Sequence, residues 1–490
     1  MLRFAMIPLL LLGVSLAAQD KPKLQLVLPA DAPARAAAPI QVGNAFPHLT
    51  VIAPGVGSDS ETGIGALIPW ADKLWAVGYV AHIRGSGIGL YEISEDMTMR
   101  KHPASVTGTF ANRLVHWESK QVIIGPHAID PEGNVRTFDA LKSHRLTATA
   151  RHLTDPTNKV YFLTMEGLLF EANVKSLEAK QLFNLNQQLK LPKGAQPHYK
   201  GAFSAQGRLV VANNTYEEPE FLGTRHAGRL AEWDGKAWTV LEENPFIEVS
   251  GKQNPRVGGR YGNTLFAVGW DRNSVIFRVL HDGQWSRYRL PQGSHSWDHT
   301  WNTEWMRIRE AQTERYLMDA FGIFYELPPM VYGGRVWGVR PIANHLRITP
   351  DFCYWRGLFV MAGDQTDNAV GQPQSGLWFG QIDDLWRLGK PSGWGSLWRN
   401  ETVKAGAISD PFLMTGFDKK TLHLANESDA AITIVAEVDF LGDGTWKKYL
   451  EFNFGPKGYT HHEFPDGFSA HWFRLRVDKE AKLTAHLMYR

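Results

Sequence analysis

Leu74-Trp75-Ala76-Val77-Gly78 is a short apolar run that stops on glycine, and the same pattern returns along most of the chain. The later runs are Val122-Ile123-Ile124-Gly125, Val160-Tyr161-Phe162-Leu163, Leu209-Val210-Val211-Ala212, Leu265-Phe266-Ala267-Val268, Tyr316-Leu317-Met318 and Leu358-Phe359-Val360-Met361-Ala362. Each is too short for an ordinary helix and is rich in β-branched or aromatic residues, which marks a buried strand. Neighbouring runs stand roughly 40 to 55 residues apart, the spacing of units that are each a four-stranded sheet packed radially. The pattern predicts an all-β, seven-bladed β-propeller.

A second apolar stretch follows most of the runs, as in Gly89-Leu90-Tyr91-Glu92-Ile93, Leu168-Leu169-Phe170-Glu171 and Val275-Ile276-Phe277-Arg278. Two units then carry an Asp-Gly turn and a tryptophan, Asp234-Gly235-Lys236-Ala237-Trp238 and Asp282-Gly283-Gln284-Trp285. Asp-Gly supplies the positive φ angles that a two-residue hairpin turn needs.

The chain has 490 residues and is 43% hydrophobic, more than one compact domain usually holds. Lys plus Arg (52) nearly balances Asp plus Glu (50), so no global field of the kind that marks a nucleic-acid binder exists. Met1-Leu2-Arg3, the apolar stretch from Phe4 to Leu16 and the small residues Ala17-Ala18 read as a secretory signal peptide over 1–18. That stretch is short for a membrane span. The expectation is an exported protein, periplasmic or extracellular, with no membrane span. Cys353 is the only cysteine, so no intrachain disulfide is available and stability must come from packing.

Residues 19–45, rich in Ala, Pro and Lys, read as a flexible leader, and 46–393 as the propeller. The segment Phe46 to Pro54 is a candidate closing strand for the last blade. Beyond the glycine- and tryptophan-bearing stretch Pro391-Ser392-Gly393-Trp394-Gly395, taken as the boundary, apolar alternation in Ile432 to Asp439 and His471 to Val477 predicts a C-terminal antiparallel β-sandwich over 394–490.

In a propeller, the loop after each second strand and the segment entering each innermost strand meet at one mouth of the central channel. The loops carry His82 and Arg84, His127, Glu166, Tyr216 with Arg225, Asp271 and Arg272, Asp319, and Asp364. The entry segments carry Arg113, His144 and Arg145, His198 with Tyr199 and Lys200, His299 with Trp301 and Glu304, and His345 with Arg347. Clustered cations repel unless carboxylates or a ligand compensate, so such a rim suggests a site for an anionic ligand. Ser294 to Trp305 is the densest mixture of aromatic and titratable side chains; it reads equally well as a sugar subsite or as an inner strand with tryptophans in the core.

Abstracting the proton α to a uronate carboxyl requires a base and a cation that neutralises the carboxylate. A Tyr or His base with an Arg neutraliser meets that demand. The sequence has no Gly-x-Ser-x-Gly elbow, phosphate loop or His-Glu-x-x-His motif, which removes serine-hydrolase, nucleotide and zincin readings. No metal-ligand spacing stands out; no cofactor is expected, and a divalent metal is left open.

With these blades, this rim and the appended sandwich, residues 46 to 390 resemble the secreted seven-bladed propellers of polysaccharide breakdown, the ulvan lyases and related rhamnosyl-glucuronate lyases and rhamnosidases. The resemblance implies catalytic roles for His127, His144, His198, Tyr199, Tyr216 and Arg225, without saying which tyrosine is the base. It implies substrate binding by His82, Arg84, Arg113, Glu166, Asp271, Arg272, His299, Trp301, Glu304 and Asp364. The expected partner is an acidic polysaccharide or oligosaccharide, taken by a monomer, with no nucleic acid involved. A glycoside hydrolase on the same scaffold would use a carboxyl pair drawn from Glu166, Asp271, Glu304 and Asp364. A non-catalytic propeller that binds glycan or protein is the reading from another class.

Overall fold

The computed structural model describes residues 48–50, 62–80, 89–96, 98–215, 227–252, 263–293, 305–312, 315–329, 331, 335–345, 347–365 and 376–490. Within them the chain forms antiparallel four-stranded meanders over 62–101, 113–137, 146–184, 199–242, 246–290 and 307–344, and three strands over 352–380 that His48–Thr50 completes to four; these are the first to seventh sheets. Every apolar run quoted above is the second strand of its meander. These strands are buried on both faces, as Gln121–Ile124 and Leu265–Trp270 show, because a sheet packs on either side.

The innermost strands are Thr62–Trp70, Arg113–His116, Leu146–Arg151, Tyr199–Ala205, Phe246–Gly251, Arg307–Gln312 and Phe352–Trp355. Each contacts the next in sequence order, and the last contacts the first, which closes a propeller around an axis. The apolar core is divided accordingly into packets between successive sheets. One packet joins the ends of the chain's circuit, with Ile64, Leu67 and Leu74 of the first sheet against Val360, Ala362 and Leu377 of the seventh. The outermost strand of the seventh sheet is His48–Thr50, paired antiparallel with Gly376–Gly380.

Several innermost strands bulge just inside their start, at residues 65, 147, 200 and 247, where the pairing register with the second strand slips by one. A bulge inserts one residue and re-aims its side chain. Thr147 and Lys200 at two of these bulges line a cavity at the axis.

Residues 393–490 form two further sets of four strands. One contains Gly393–Val403, Ala481–Tyr489, Lys420–Asn426 and Tyr459–Glu463; the other Phe412–Leu413, Trp472–Val477, Ile432–Asp439 and Lys447–Phe454. Alternating burial along Lys420–Asn426 and Ile432–Asp439 sends one side of each into a shared core that includes Leu422, Ile434, Leu475 and Leu487. The second set continues the fifth sheet, since Phe412 pairs in parallel with Arg289 and the Arg289 N–H donates to the Pro411 carbonyl at 2.8 Å.

The stretch 391–395, read from sequence as a boundary, is a contact. Gly393–Val403 begins there, and Gln292 and Trp394 exchange backbone hydrogen bonds of 2.9 Å. The glycines allow close approach: a Cβ on Gly393 would stand 2.9 Å from the Gln292 carbonyl oxygen, and one on Gly395 2.8 Å from Ser274 Cβ. No helix among the described residues is long and apolar enough to cross a membrane.

Candidate functional site

The meeting of entry segment and loop is realised most completely at the third sheet. Arg145, just before the innermost strand, places Nε 2.7 Å from Glu166 Oε1 in the loop after the second strand. The Met165 N–H donates to the Arg145 carbonyl at 2.9 Å, and the Tyr199 N–H, entering the fourth sheet, donates to the Met165 carbonyl at 3.0 Å. His144, whose ring lies 5.0 Å from that of Phe170, stands beside the pair. Asn186 donates from Nδ2 to the Glu166 carbonyl at 2.9 Å. His144, Arg145, Glu166, Asn184, Asn186 and Gln196 line an open depression of about 420 Å³, with Pro197, the residue before His198, at its edge. His198 is held by its backbone, its N–H donating to Thr215 Oγ1 at 3.0 Å and its carbonyl accepting from the Asn214 N–H at 3.1 Å.

A different pair joins the sixth sheet to the seventh: Asp319, inside the second strand Arg315–Ala320, places Oδ1 2.9 Å from Nε2 of His345, which leads into the seventh. Arg347 nearby stacks over the Trp378 ring at 3.5 Å.

Other expected site residues lie elsewhere. Tyr199 is fully buried in the packet between the third and fourth sheets, and its ring fills the space beside Gly167. Its hydroxyl makes no hydrogen bond, and burial pushes the phenol well above its ordinary range. A phenol so held cannot serve as the base, and Tyr199 is a core residue. His127 is likewise fully buried, in the third strand of the second sheet, with Nδ1 3.0 Å from Thr137 Oγ1 and no partner at Nε2. Burial, helped by His102 and Lys142, lowers its pKa to about 4, so it is a neutral packing group and does not line the depression beside Glu166.

Asp271 and Arg272 face the C-terminal unit. Arg289 grips Asp271 with both Nη atoms at 2.9 and 2.8 Å; burial opposes ionisation of that carboxyl, but the guanidinium prevails and holds it below its ordinary value. Arg272 and Arg399 donate to each other's carbonyls. These residues tie the propeller to the strands that follow it and are not part of the lining of the depression beside Glu166. Asp364 pairs through its backbone with Gly63, and nothing of its side chain is described. His82, Arg84, Tyr216, Arg225, His299, Trp301 and Glu304 lie outside the described residues.

Arg113 belongs to a charged layer at the axis. Its Nε lies 3.1 Å from Asp351 Oδ2, and its Nη1 donates to the Leu67 carbonyl at 2.7 Å. Asp351, fully buried, accepts from Arg309 Nε at 2.6 Å and from the Leu67 N–H at 2.7 Å. Glu248 pairs with Arg309 at 3.2 Å and with Arg307 at 3.4 Å. Glu248, Arg307, Arg309 and Asp351 were not expected from sequence. The signal was there: a charge inside an apolar strand, as in Ile247-Glu248-Val249 or Arg307-Ile308-Arg309. Among the described residues, no group of three or more His, Cys, Asp or Glu side chains is placed to hold a metal ion.

No family model matches the chain, and no curated protein matches it. Solved structures do. The WD40 repeats of RRP9 align with 10% identity over 68% of this chain and 97% of that one, with a TM-score of 0.42. The β-propeller domain of Cps50 (Swd1) from Myceliophteria thermophila aligns with 11% identity over 65% and 97%, at 0.39, and U3-55K with 9% over 68% and 98%, at 0.41. The likeness is one of fold. It bears on neither lyase nor glycosidase activity.

Proposed function

We propose that the chain is a seven-bladed β-propeller with a C-terminal β-sandwich, and that it is an exported carbohydrate-active enzyme which cleaves a uronate-containing saccharide by β-elimination at the third-sheet depression. The observation that supports this reading is the Arg145–Glu166 pair fixed beside His144 in a cavity of about 420 Å³ lined by amide side chains. A volume of that order suits a small ligand. Amides suit sugar hydroxyls, and a guanidinium suits a carboxylate.

In this mechanism Arg145 draws charge off the uronate carboxylate, and His144 takes the proton from the carbon α to it. The electron pair so released forms a carbon–carbon double bond as the glycosidic oxygen leaves from the β carbon and takes a proton from solvent water, and His144 later returns its proton to solvent. Glu166 orients the guanidinium. Hydrolysis by a carboxyl pair is less well supported, because Glu166 is the one carboxylate among the described residues lining the depression, and it is ion-paired. A non-catalytic glycan binder would use the same depression without turnover.

The test is a panel of polyuronates and mixed acidic glycans, followed by the ultraviolet absorbance of the unsaturated product. His144→Ala is expected to slow product formation by about a hundredfold while saccharide binding persists. Binding without absorbance by the unchanged protein leaves the binder; neither binding nor absorbance on any glycan overturns both.

A further inference from the structure

Five sheets of the ring meet in the axial charged layer, yet the charges there do not balance. Among the described residues the guanidiniums of Arg113, Arg307 and Arg309 face the carboxylates of Glu248 and Asp351. Arg307 and Arg309 are 2% and 7% exposed. An arginine cannot lose its proton inside a protein, so a surplus guanidinium must be met by an anion or carry a heavy desolvation cost.

The hydrogen bonds of these two arginines leave one end of each unused. Arg307 donates from Nε to the Pro350 carbonyl at 2.6 Å and from Nη1 to the Met306 carbonyl at 2.9 Å. Arg309 donates from Nε to Asp351 and from Nη1 to the Ile308 carbonyl at 2.9 Å. Nη2 takes part in none of these bonds. Both side chains line an axial cavity of about 40 Å³, together with Arg113, Thr147, Lys200, Ser250 and one carboxylate, Glu248, which is already engaged by the same two arginines. A single water needs roughly 10–15 Å³ by the same measure. The space therefore suits a few waters or one small tetrahedral ion and excludes a pyranose ring.

We propose that the axial cavity binds a free inorganic oxyanion of the sulfate or phosphate class, held by the Nη2 groups of Arg307 and Arg309. Bound there, the anion joins a layer to which the first, second, fifth, sixth and seventh sheets all contribute, and so links anion binding to closure of the ring. The site is separate from the rim depression, and the proposal does not depend on what the rim binds.

The test is thermal unfolding of the full chain at constant ionic strength, with sulfate replacing gluconate stepwise, together with a selenate-soaked crystal. The expected results are a midpoint that rises with sulfate and saturates, as ligand binding to the native state requires, and a selenium peak between Arg307 and Arg309. Arg307→Gln is expected to weaken the apparent sulfate affinity at least tenfold; if that variant does not fold, the two measurements on the unchanged chain decide. A midpoint that responds to gluconate and sulfate alike, or selenium at the rim with none at the axis, overturns the proposal.

Discussion

An arginine–carboxylate pair occurs both at the axis and at the rim of the propeller, and the two places differ in what surrounds it. At the axis, Asp351 is fully buried and ties Arg113 and Arg309 to a backbone N–H from another sheet. At the rim, the Arg145 and Glu166 side chains keep 19% and 17% of their exposure and border an open depression. Removing one partner from a buried network strands a charge, whereas water compensates a half-wet one. The axis is therefore where charge holds the fold together, and the rim is where it stays available to a ligand.

Asp351→Ala puts the contrast to its hardest test. It leaves Arg113 without a carboxylate and Arg309 with Glu248 alone, and is expected to cost about 3–5 kcal/mol in chemical denaturation. A loss below about 1 kcal/mol would erase the distinction between axis and rim.

The buried histidines extend the comparison to pH. The folded pKa of His127 lies near 4, below its ordinary 6.5, so between these values the unfolded chain binds a proton that the native chain does not. Its contribution to stability is complete above about pH 6.5 and is lost as pH falls toward 4, by up to about 3 kcal/mol. His471 and His486 are held near 4 by burial in the same way, so His127→Gln should flatten only part of the acid limb of a stability–pH curve.

Glu166→Gln sharpens the rim side. It should cost about 1 kcal/mol of stability at most, measured by denaturation, while lowering the affinity for acidic saccharide because Arg145 loses its anchor. Tyr199→Phe should change least. Its hydroxyl has no partner to lose, so stability should stay within about 1 kcal/mol and product formation should be unaltered. A collapse of activity in that variant would restore the phenol as a reacting group.

What could be read from sequence follows the same division. The second strands were legible because a strand covered on both faces is written as an uninterrupted apolar run, as in Leu265–Trp270. The innermost strands were harder, since their axial face is polar and Arg307-Ile308-Arg309 looks like a solvated edge. At the site, His144, Arg145 and Glu166 could be placed together because each sits at a loop position that the repeat fixes. Tyr199 was wrongly given a catalytic role, because the bulge at 200 turns Lys200 to the axial cavity while Tyr199 fills the inter-sheet core, and a slip of one residue exchanges such faces. Asp271 and Arg272 depended on where residues 393–490 dock, which no local pattern records.

The pairing of His48–Thr50 with Gly376–Gly380 bears on how the molecule assembles. The first described strand finds its neighbour some 330 positions later (48 to 378), so the circle can be sealed only after nearly all of the intervening chain has been synthesised and arranged. Such a distant contact makes assembly slow, and until the latch engages, the edge of Gly376–Gly380 stays open to strands from other copies.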